Sequence, residues 1–165
     1  GAEHVEGIFR LPGNMKLVEE TADHLNKGEN TLDHLGVHDL ASLLKKWVRE
    51  LPDPLVNLAS VGLLETAFEQ KTYLEFTEGL PKTHQLTLKY LIGFLQHLVK
   101  SQNETKMTPK NFAIVFGPNI VQLRDATEPG VIKQYSDIGI EYLTTLIEQW
   151  DTSEMYPLDP KYLQP

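Results

Sequence analysis

Apolar residues in this chain recur every three or four positions, in segments that end at glycine or proline. In residues 40–51 the apolar positions are 40, 43, 44, 47, 48 and 51, which is the spacing of one buried helical face. Pro52 and Pro54 follow and end that segment, because proline cannot donate the backbone hydrogen bond of a helix interior. We find no persuasive pair of strand segments. The sequence therefore predicts an all-α protein, an irregular helical bundle in which prolines set the corners.

The same reasoning predicts further helices along the chain. Asn14 is a candidate N-cap for a helix over residues 15–27, which Gly28 ends. Thr108 and Pro109 indicate the start of a short helix over 108–116, and Gly117 with Pro118 is expected to stop it. Other helices are expected over 58–68, 81–100 and 136–150. The core-facing residues expected in the last two are Leu88, Leu91, Leu95, Leu98, Ile138, Tyr142, Leu143, Leu146 and Ile147.

Length and composition limit the class of protein. A chain of 165 residues, 41% of them hydrophobic, can bury one sizeable core but is short for two ordinary domains. Its net charge of -8 disfavours a broad nucleic-acid surface, because phosphate binding needs clustered Lys and Arg. It has no cysteine, no secretory signal and no apolar run near the roughly 18 residues that span a bilayer. We expect a cytoplasmic domain that contacts neither nucleic acid nor membrane.

The predicted helix over residues 40–51 carries a basic face. Ser42, Lys45, Lys46 and Arg49 fall opposite its apolar stripe. Lys45 and Arg49 are like charges at i,i+4, a pairing that costs a few tenths of a kcal/mol in an isolated helix. Helix stability therefore does not explain the pair, and in an acidic chain it suggests an acidic partner. An ordinary solvated face is the alternative.

The opening segment, Glu6 to Gly13, has glycines and a proline around two apolar residues, Ile8 and Phe9. This composition predicts a constrained loop. If Ile8 and Phe9 dock into the core, Arg10 stands on a fixed stem and presents its guanidinium to another molecule. A surface salt bridge is the alternative for Arg10 from spacing alone.

Sites for metals and nucleotides are poorly supported. His34 and His38 are spaced i,i+4, but Gly36 lies between them and no third ligand is evident. The sequence contains no Walker A loop, no dinucleotide glycine fingerprint and no Gly-x-Ser-x-Gly elbow. We therefore predict no metal site and no nucleotide pocket within the chain.

Three segments resemble the signature blocks of the RhoGAP family, also called the Bcr-homology domain. They are Glu6-Gly7-Ile8-Phe9-Arg10-x-x-Gly13, residues 37–55 and residues 106–119, in that order. The resemblance covers residues 6–150 and implies one RhoGAP domain over 1–155, followed by a proline-containing tail, 156–165. Related domains usually carry another helix before the first block, where this chain has only residues 1–5. A truncated first helix would account for that departure and would loosen the stem of Arg10.

By this resemblance the chain is a GTPase-activating protein for Rho-family small GTPases in the GTP-bound state. Arg10 falls on the family's arginine finger, which is inserted into the active site of the bound GTPase. Lys45 and Arg49 fall on the basic pair that contacts the GTPase and supports the finger's loop. The hydrolysis site then belongs to the partner, so the domain is an enzyme activator and no enzyme itself.

The third block supplies the rest of the expected contact surface. Asn111 falls on the asparagine that hydrogen-bonds the GTPase near its switch regions, Ile114 lies one turn on, and Pro118 shapes the same surface. The GTPase binds Mg²⁺ and GTP, so we expect no cofactor in this chain, which acts as a monomer. The alternatives are a module that binds a GTPase without activating it, or a helical scaffold.

Overall fold

Helices dominate the part of the chain that the structure describes. The computed structural model of the protein describes residues 1–29, 32–122 and 128–153. The predicted tail, 156–165, lies outside the described residues, as do the last two residues of the predicted domain. Within those ranges a short 3₁₀ helix, Ala2–His4, precedes eight α-helices. They are α1 (Met15–Asn26), α2 (Val37–Arg49), α3 (Leu58–Gln70), α4 (Tyr73–Glu78), α5 (Lys82–Val99), α6 (Gln102–Thr105), α7 (Pro109–Ile120) and α8 (Pro129–Gln149).

The all-α prediction is confirmed. In the described ranges the one β-type pairing is an isolated parallel bridge between Val56 and Val121, which joins the turn after α2 to the end of α7. None of the described helices is both long and apolar enough to cross a membrane.

Helices α5, α7 and α8 form the centre of the core. The apolar stripes predicted for α5 and α8 are buried, which confirms both. Helices α7 and α8 pack closely because Gly117 faces Gly139. A Cβ on Gly117 would lie 3.5 Å from the carbonyl carbon of Gly139, and a Cβ on Gly139 would lie 3.3 Å from Cγ2 of Val121. Small residues at this crossing let the two backbones approach, and the large side chains of α7 fill the core on either side.

Helix α7 does not stop at Gly117 and Pro118, so the predicted end at residue 116 is wrong. The helix continues to Ile120 with Pro118 inside it. Proline removes one N–H from the helical ladder, and the carbonyl that loses its donor belongs to Ile114. Ile114 is on the exposed side of the helix, where water can replace the donor. The packing of Gly117 against α8 holds the last turn in place.

Other helix boundaries also differ from the prediction. Helix α8 begins at Pro129, well before the predicted residue 136. Its first two turns were not predicted because they contain Gly130 and the half-exposed Ile132, so no buried face is visible in the sequence there. The short helices α4 and α6 were not predicted, since each is too short to show a helical period.

The orientation of α2 contradicts the predicted division into one buried and one basic face. Ser42 is buried, whereas Leu40 and Trp47 are 40% and 52% exposed. The buried face of α2 instead centres on Ala41 and Val48. Apolar side chains occupy more than half of this helix, and periodicity alone does not tell which of them meets the core and which lines a surface groove.

A buried pair of hydroxyls connects α4 to α8. The side chain of Tyr142 is fully buried, and its Oη lies 2.9 Å from Oγ1 of Thr77. Thr77 Oγ1 donates to the carbonyl of Tyr73 at 2.7 Å, so the Tyr142 hydroxyl is the donor in the pair. Burial raises the pKa of Tyr142 well above its usual range, which keeps it protonated and able to donate.

We expect Tyr142→Phe to lower the free energy of unfolding by about 1 kcal/mol, because Thr77 Oγ1 then loses its buried donor. Urea unfolding followed by circular dichroism measures the change. The double variant Tyr142→Phe/Thr77→Val should lose less than the sum of the two single changes, since it leaves no unpaired hydroxyl. Strict additivity would contradict the assigned pairing.

Candidate functional site

Arg10 lies on an exposed loop whose preceding residues are buried. Ile8 and Phe9 are 3% and 2% exposed, which confirms that these two residues dock into the core. The Phe9 ring packs against three rings, with centroids 6.1 Å from Phe94, 6.2 Å from Phe112 and 5.0 Å from Phe116. The backbone that carries Arg10 is thus fixed to α5 and α7.

The backbone of this loop adopts an unusual conformation. Gly7 and Phe9 have φ angles of +69° and +67°. The N–H groups of Arg10 and Leu11 both donate to the Gly7 carbonyl at 2.9 Å, and the Gly7 N–H donates to the carbonyl of Thr105 at 2.7 Å. A positive φ at phenylalanine costs about 1–2 kcal/mol, so the contacts of the buried ring must hold it.

Lys45 binds the peptide group that immediately precedes Arg10. Its Nζ donates to the carbonyl of Phe9 at 2.6 Å. Partial burial lowers the pKa of Lys45, and the nearby charge of Arg49 lowers it further. The Lys45 ammonium therefore points into the loop that carries Arg10, residues 6–14, and does not lie on an open solvated face of α2.

Arg49 and Lys46 occupy different positions from Lys45 on α2. The Arg49 side chain is exposed, with Nη2 3.6 Å from Glu50 Oε1, and its backbone carbonyl accepts from Gln122 Nε2 at 3.0 Å. Lys46 donates to Glu50 at 2.7 Å and pairs with Glu19 at 2.8 Å. These bonds raise the pKa of Lys46, Glu19 contributing most. Lys46 is therefore engaged with neighbouring carboxylates, and the predicted set of three solvated cations is wrong.

The far end of the loop is fixed against the first turn of α2. The Gly13 N–H donates to Ser42 Oγ at 3.0 Å, and the Asn14 N–H donates to Asp39 Oδ1 at 2.7 Å. The other carboxylate oxygen of Asp39 accepts from the Gly36 N–H at 2.9 Å. A Cβ on Gly13 would lie 2.6 Å from Asp39 Cα, so only glycine fits this contact.

The Arg10 guanidinium forms no hydrogen bond or ion pair with any residue that the structure describes. It lies back over Gly7, where an added Cβ would be 3.4 Å from Arg10 Nη2. The alternative of a surface salt bridge for Arg10 therefore finds no support in these residues. Its charge is available to a group outside the chain.

Asn111, Ile114 and Pro118 share the exposed face of α7, because residues three and four apart lie on one side of a helix. Asn111 Nδ2 donates to the carbonyl of Lys106 at 2.9 Å. Lys106 follows Thr105, whose carbonyl accepts from the Gly7 N–H. The turn between α6 and α7 therefore connects Asn111 to the loop that carries Arg10. The Ile114 side chain is 47% exposed.

The structure places five of the six predicted site residues on the loop, on α7 or in contact with the loop, and Arg10 is carried by the loop itself. Lys45 binds the loop directly, Asn111 is joined to it through Lys106 and Thr105, and Ile114 and Pro118 continue the face of α7. Arg49 shares α2 with Lys45, and its charge helps to lower the pKa of Lys45. Sequence reasoning missed Asp39, Ser42 and Thr105, which bind backbone N–H groups of the loop. A polar residue with a long-range backbone partner gives no local signal in a sequence.

The two histidines considered for zinc do not form a ligand pair. Helix α2 begins at Val37, so His34 lies before it and His38 within it. His34 Nε2 is 3.5 Å from Thr21 Oγ1, and His38 Nδ1 is buried without a hydrogen-bond partner among the described residues. In the same residues no group of three or more His, Asp or Glu side chains is arranged to hold a metal ion.

The sequence and the fold are similar to known RhoGAP domains. A sequence model of the RhoGAP domain matches residues 2–125. The chain is 33% identical over 165 residues to Rho GTPase-activating protein 24 of Rattus norvegicus, and 34% identical over 147 residues to Rho GTPase-activating protein 4 of Arabidopsis thaliana. These matches cover 93% and 89% of the chain but only 22% and 33% of the relatives.

A solved structure supports the likeness of fold. The crystal structure of human Rho GTPase activating protein 15 aligns with a TM-score of 0.81 at 22% sequence identity. The alignment covers 91% of this chain and 75% of that one.

We expect Gly13→Ala to lower the free energy of unfolding by about 1–3 kcal/mol, because the new methyl group collides with the backbone of Asp39. Gly62→Ala, in α3, is the matched control, since a Cβ there meets nothing within 4 Å. That control should be neutral or stabilising by up to about 1 kcal/mol. Thermal unfolding of both variants measures the difference, and equal stability would contradict the close contact at Gly13.

We expect Lys45→Met to release the loop while the fold persists, because the Phe9 carbonyl loses its charged donor. The free energy of unfolding should fall by about 1 kcal/mol. The backbone amides of residues 7–14 should exchange with deuterium faster. Lys46→Met is the control, since its ammonium binds only surface carboxylates among its described partners. Unchanged exchange in the loop of Lys45→Met would show that the bond does not hold it.

Proposed function

Because this chain belongs to the RhoGAP family, we propose that it stimulates GTP hydrolysis by a Rho-family small GTPase, with Arg10 as the arginine finger. The observation that carries the proposal is that the backbone before Arg10 is fixed by contacts, whereas the Arg10 side chain forms no described bond. Phe9 is buried and its carbonyl is bound by Lys45, whereas the next side chain, Arg10, is exposed and forms no described bond.

The finger would act on charge that develops during phosphoryl transfer. Negative charge spreads over the oxygens of the transferred phosphoryl group in the transition state, and a guanidinium donates two hydrogen bonds to it in a fixed planar fork. Fingers of this kind contribute about 10³–10⁵ in rate, or roughly 4–7 kcal/mol of barrier. A stem that is already ordered places the charge without paying the entropy of ordering at the moment of reaction.

Lys45 is the positioning residue of this mechanism. Its ammonium holds the Phe9 carbonyl, so it acts on the GTPase through the backbone of the finger. Arg49, one turn further along α2, has its side chain exposed and is proposed to contact the GTPase directly. Arg10 and Arg49 are both exposed cations on a chain of net charge -8, which suits the negatively charged surroundings of a bound nucleotide.

The exposed face of α7 is proposed to bind the switch regions of the GTPase. The Asn111 side chain already donates to Lys106, which fixes its orientation and leaves its carbonyl oxygen to accept from the partner. Ile114 adds apolar area at the same face, and Pro118 shapes the surface beyond it. The GTPase brings Mg²⁺ and GTP, so we propose that the domain acts as a monomer without a cofactor of its own, in the cytoplasm.

We expect Arg10→Ala to lower the stimulated hydrolysis rate by about 10³-fold while GTPase binding largely persists, because the finger acts mainly on the transition state. Arg10→Lys should recover little, since a lysine lacks the planar fork. Single-turnover GTP hydrolysis by purified Rho-family GTPases measures the rate. Calorimetry with the GTPase bound to a non-hydrolysable GTP analogue measures binding.

Lys16→Ala provides the control for this experiment. Lys16 is another exposed cation, with a side chain 85% exposed in α1, so its loss changes net charge equally. Its rate should stay within about twofold of wild type, as for a solvated surface charge. A wild-type domain that binds the GTPase without stimulating it would instead be a non-catalytic binding module. A domain that does neither would be a helical scaffold.

A further inference from the structure

A surface groove borders the exposed face of α7 on the side away from the finger loop. Phe112 and Phe116 turn towards Phe9 on one side of α7, and Lys110 and Ile114 lie on the other. The groove has a volume of about 420 Å³ and runs between α7 and α8. Its lining residues are Lys110, Ile114, Asp137, Ile140, Glu141 and Thr144.

The packing of α7 on α8 creates an apolar strip in this groove. Because Gly117 and Gly139 bring the two backbones together, side chains on either side of the crossing form a continuous surface. Ile114 of α7 is 47% exposed, and Ile140 of α8 is partly buried against the core. An apolar strip of this kind gains free energy when a partner covers it.

The two carboxylates of the groove differ in what they bind. Glu141 accepts hydrogen bonds from Lys71 Nζ and, at 3.1 Å, from Tyr73 Oη, so its charge is used within the fold. Asp137 is exposed and forms neither a hydrogen bond nor an ion pair in the described part of the chain. The rim of the groove therefore offers one available carboxylate, that of Asp137, together with the exposed Lys110.

We infer that this groove extends the GTPase-binding surface onto α8, where it takes an apolar side chain bordered by a lysine or arginine of the GTPase. The inference rests on the proposed function, since it assumes that the GTPase covers α7. Ile114 carries the connection, because it lies both on the proposed contact face and in the groove. A GTPase that contacts Ile114 therefore also comes next to Ile140 and Asp137, which line the same groove.

The α8 residues then contribute to selectivity among GTPases. Asp137 and Thr144 lie across α7 from the loop that carries Arg10. They therefore affect the affinity for a GTPase and do not change the rate of the hydrolysis step. A GTPase with a basic residue opposite Asp137 is favoured, and one with an acidic residue there is rejected by like-charge repulsion. The Asp137 carboxylate thus discriminates between GTPases that can all accept Arg10 in their active sites.

Two variants test the groove through binding. Asp137→Lys reverses the available charge, and Thr144→Arg places a large cation at the end of the groove. We measure the GTPase that the wild-type domain stimulates most. For this GTPase in its GTP-bound form, we expect each variant to raise KM by about five- to tenfold and to keep kcat within about twofold of the wild-type value. The effect of Asp137→Lys should shrink when the salt concentration rises from about 50 mM to about 300 mM, because screening weakens exposed charge pairs.

Glu69→Lys is the matched control. It makes the same change of charge at an exposed position of α3 that lies outside the groove. Its KM should equal that of the wild type, which separates a local contact from a change in net charge. Circular dichroism and thermal unfolding of all three variants check that the fold is intact, and Arg10→Ala is measured in parallel as the catalytic reference.

The outcomes separate the groove from the proposed function. Suppose first that the wild-type domain stimulates hydrolysis and Arg10→Ala does not. If folded Asp137→Lys and Thr144→Arg then keep the wild-type KM and the same order of preference among GTPases, the groove inference is wrong while the proposed function stands. If wild type binds a GTPase without stimulating it, calorimetric affinities replace KM in the same comparison, and a loss specific to the groove variants supports the inference. If wild type neither binds nor stimulates any GTPase, both proposals fail together.

Discussion

The hydrogen bond from the Lys45 ammonium to the Phe9 carbonyl organises the surface around Arg10. It joins the loop to α2, while the Phe9 ring joins the same residue to α5 and α7. A phenylalanine with positive φ is disfavoured locally, so these two contacts must outweigh the backbone preference. The bond also accounts for Lys45 itself, since an ammonium that is partly buried near another cation needs a strong acceptor. Loop conformation and the charge on α2 are therefore parts of one arrangement.

Helix α7 divides the molecule into a structural side and a contact side. Its large apolar residues pack towards Phe9 and the core, and its glycine packs against α8. Its other face carries the exposed Ile114 and Pro118 and the half-buried Asn111. The same helix thereby fixes the finger loop on one flank and the groove with α8 on the other. The proposed contacts of a GTPase along α7 would consequently be positioned by the same packing that stabilises the fold.

Sequence reasoning predicted the helical class and the buried stripes of α5 and α8, because long helices with one apolar face have a clear period. It failed at α2, where Leu40 and Trp47 continue the period but line a surface pocket between α1 and α2. It also failed at Pro118, where tertiary packing carries a helix through a proline. The candidate site came mainly from the resemblance of three blocks. The partners that shape the loop, Asp39 and Thr105, act on backbone groups far away in sequence, which no local pattern reveals.

The conformation of the loop around Arg10 depends on residues outside the loop. Thr105, at the end of α6, binds it at Gly7, and two residues of α2, Lys45 and Asp39, bind it at Phe9 and Asn14. A short peptide copied from residues 6–14 would keep the arginine but lose all three partners, and its phenylalanine would relax to negative φ. Transplanting this loop to another scaffold would therefore require a lysine, a carboxylate and a carbonyl at matching positions. The conformation of this loop is therefore set by three chain segments together, the loop itself, α2 and the end of α6, of which the sequence motif around Arg10 is only one.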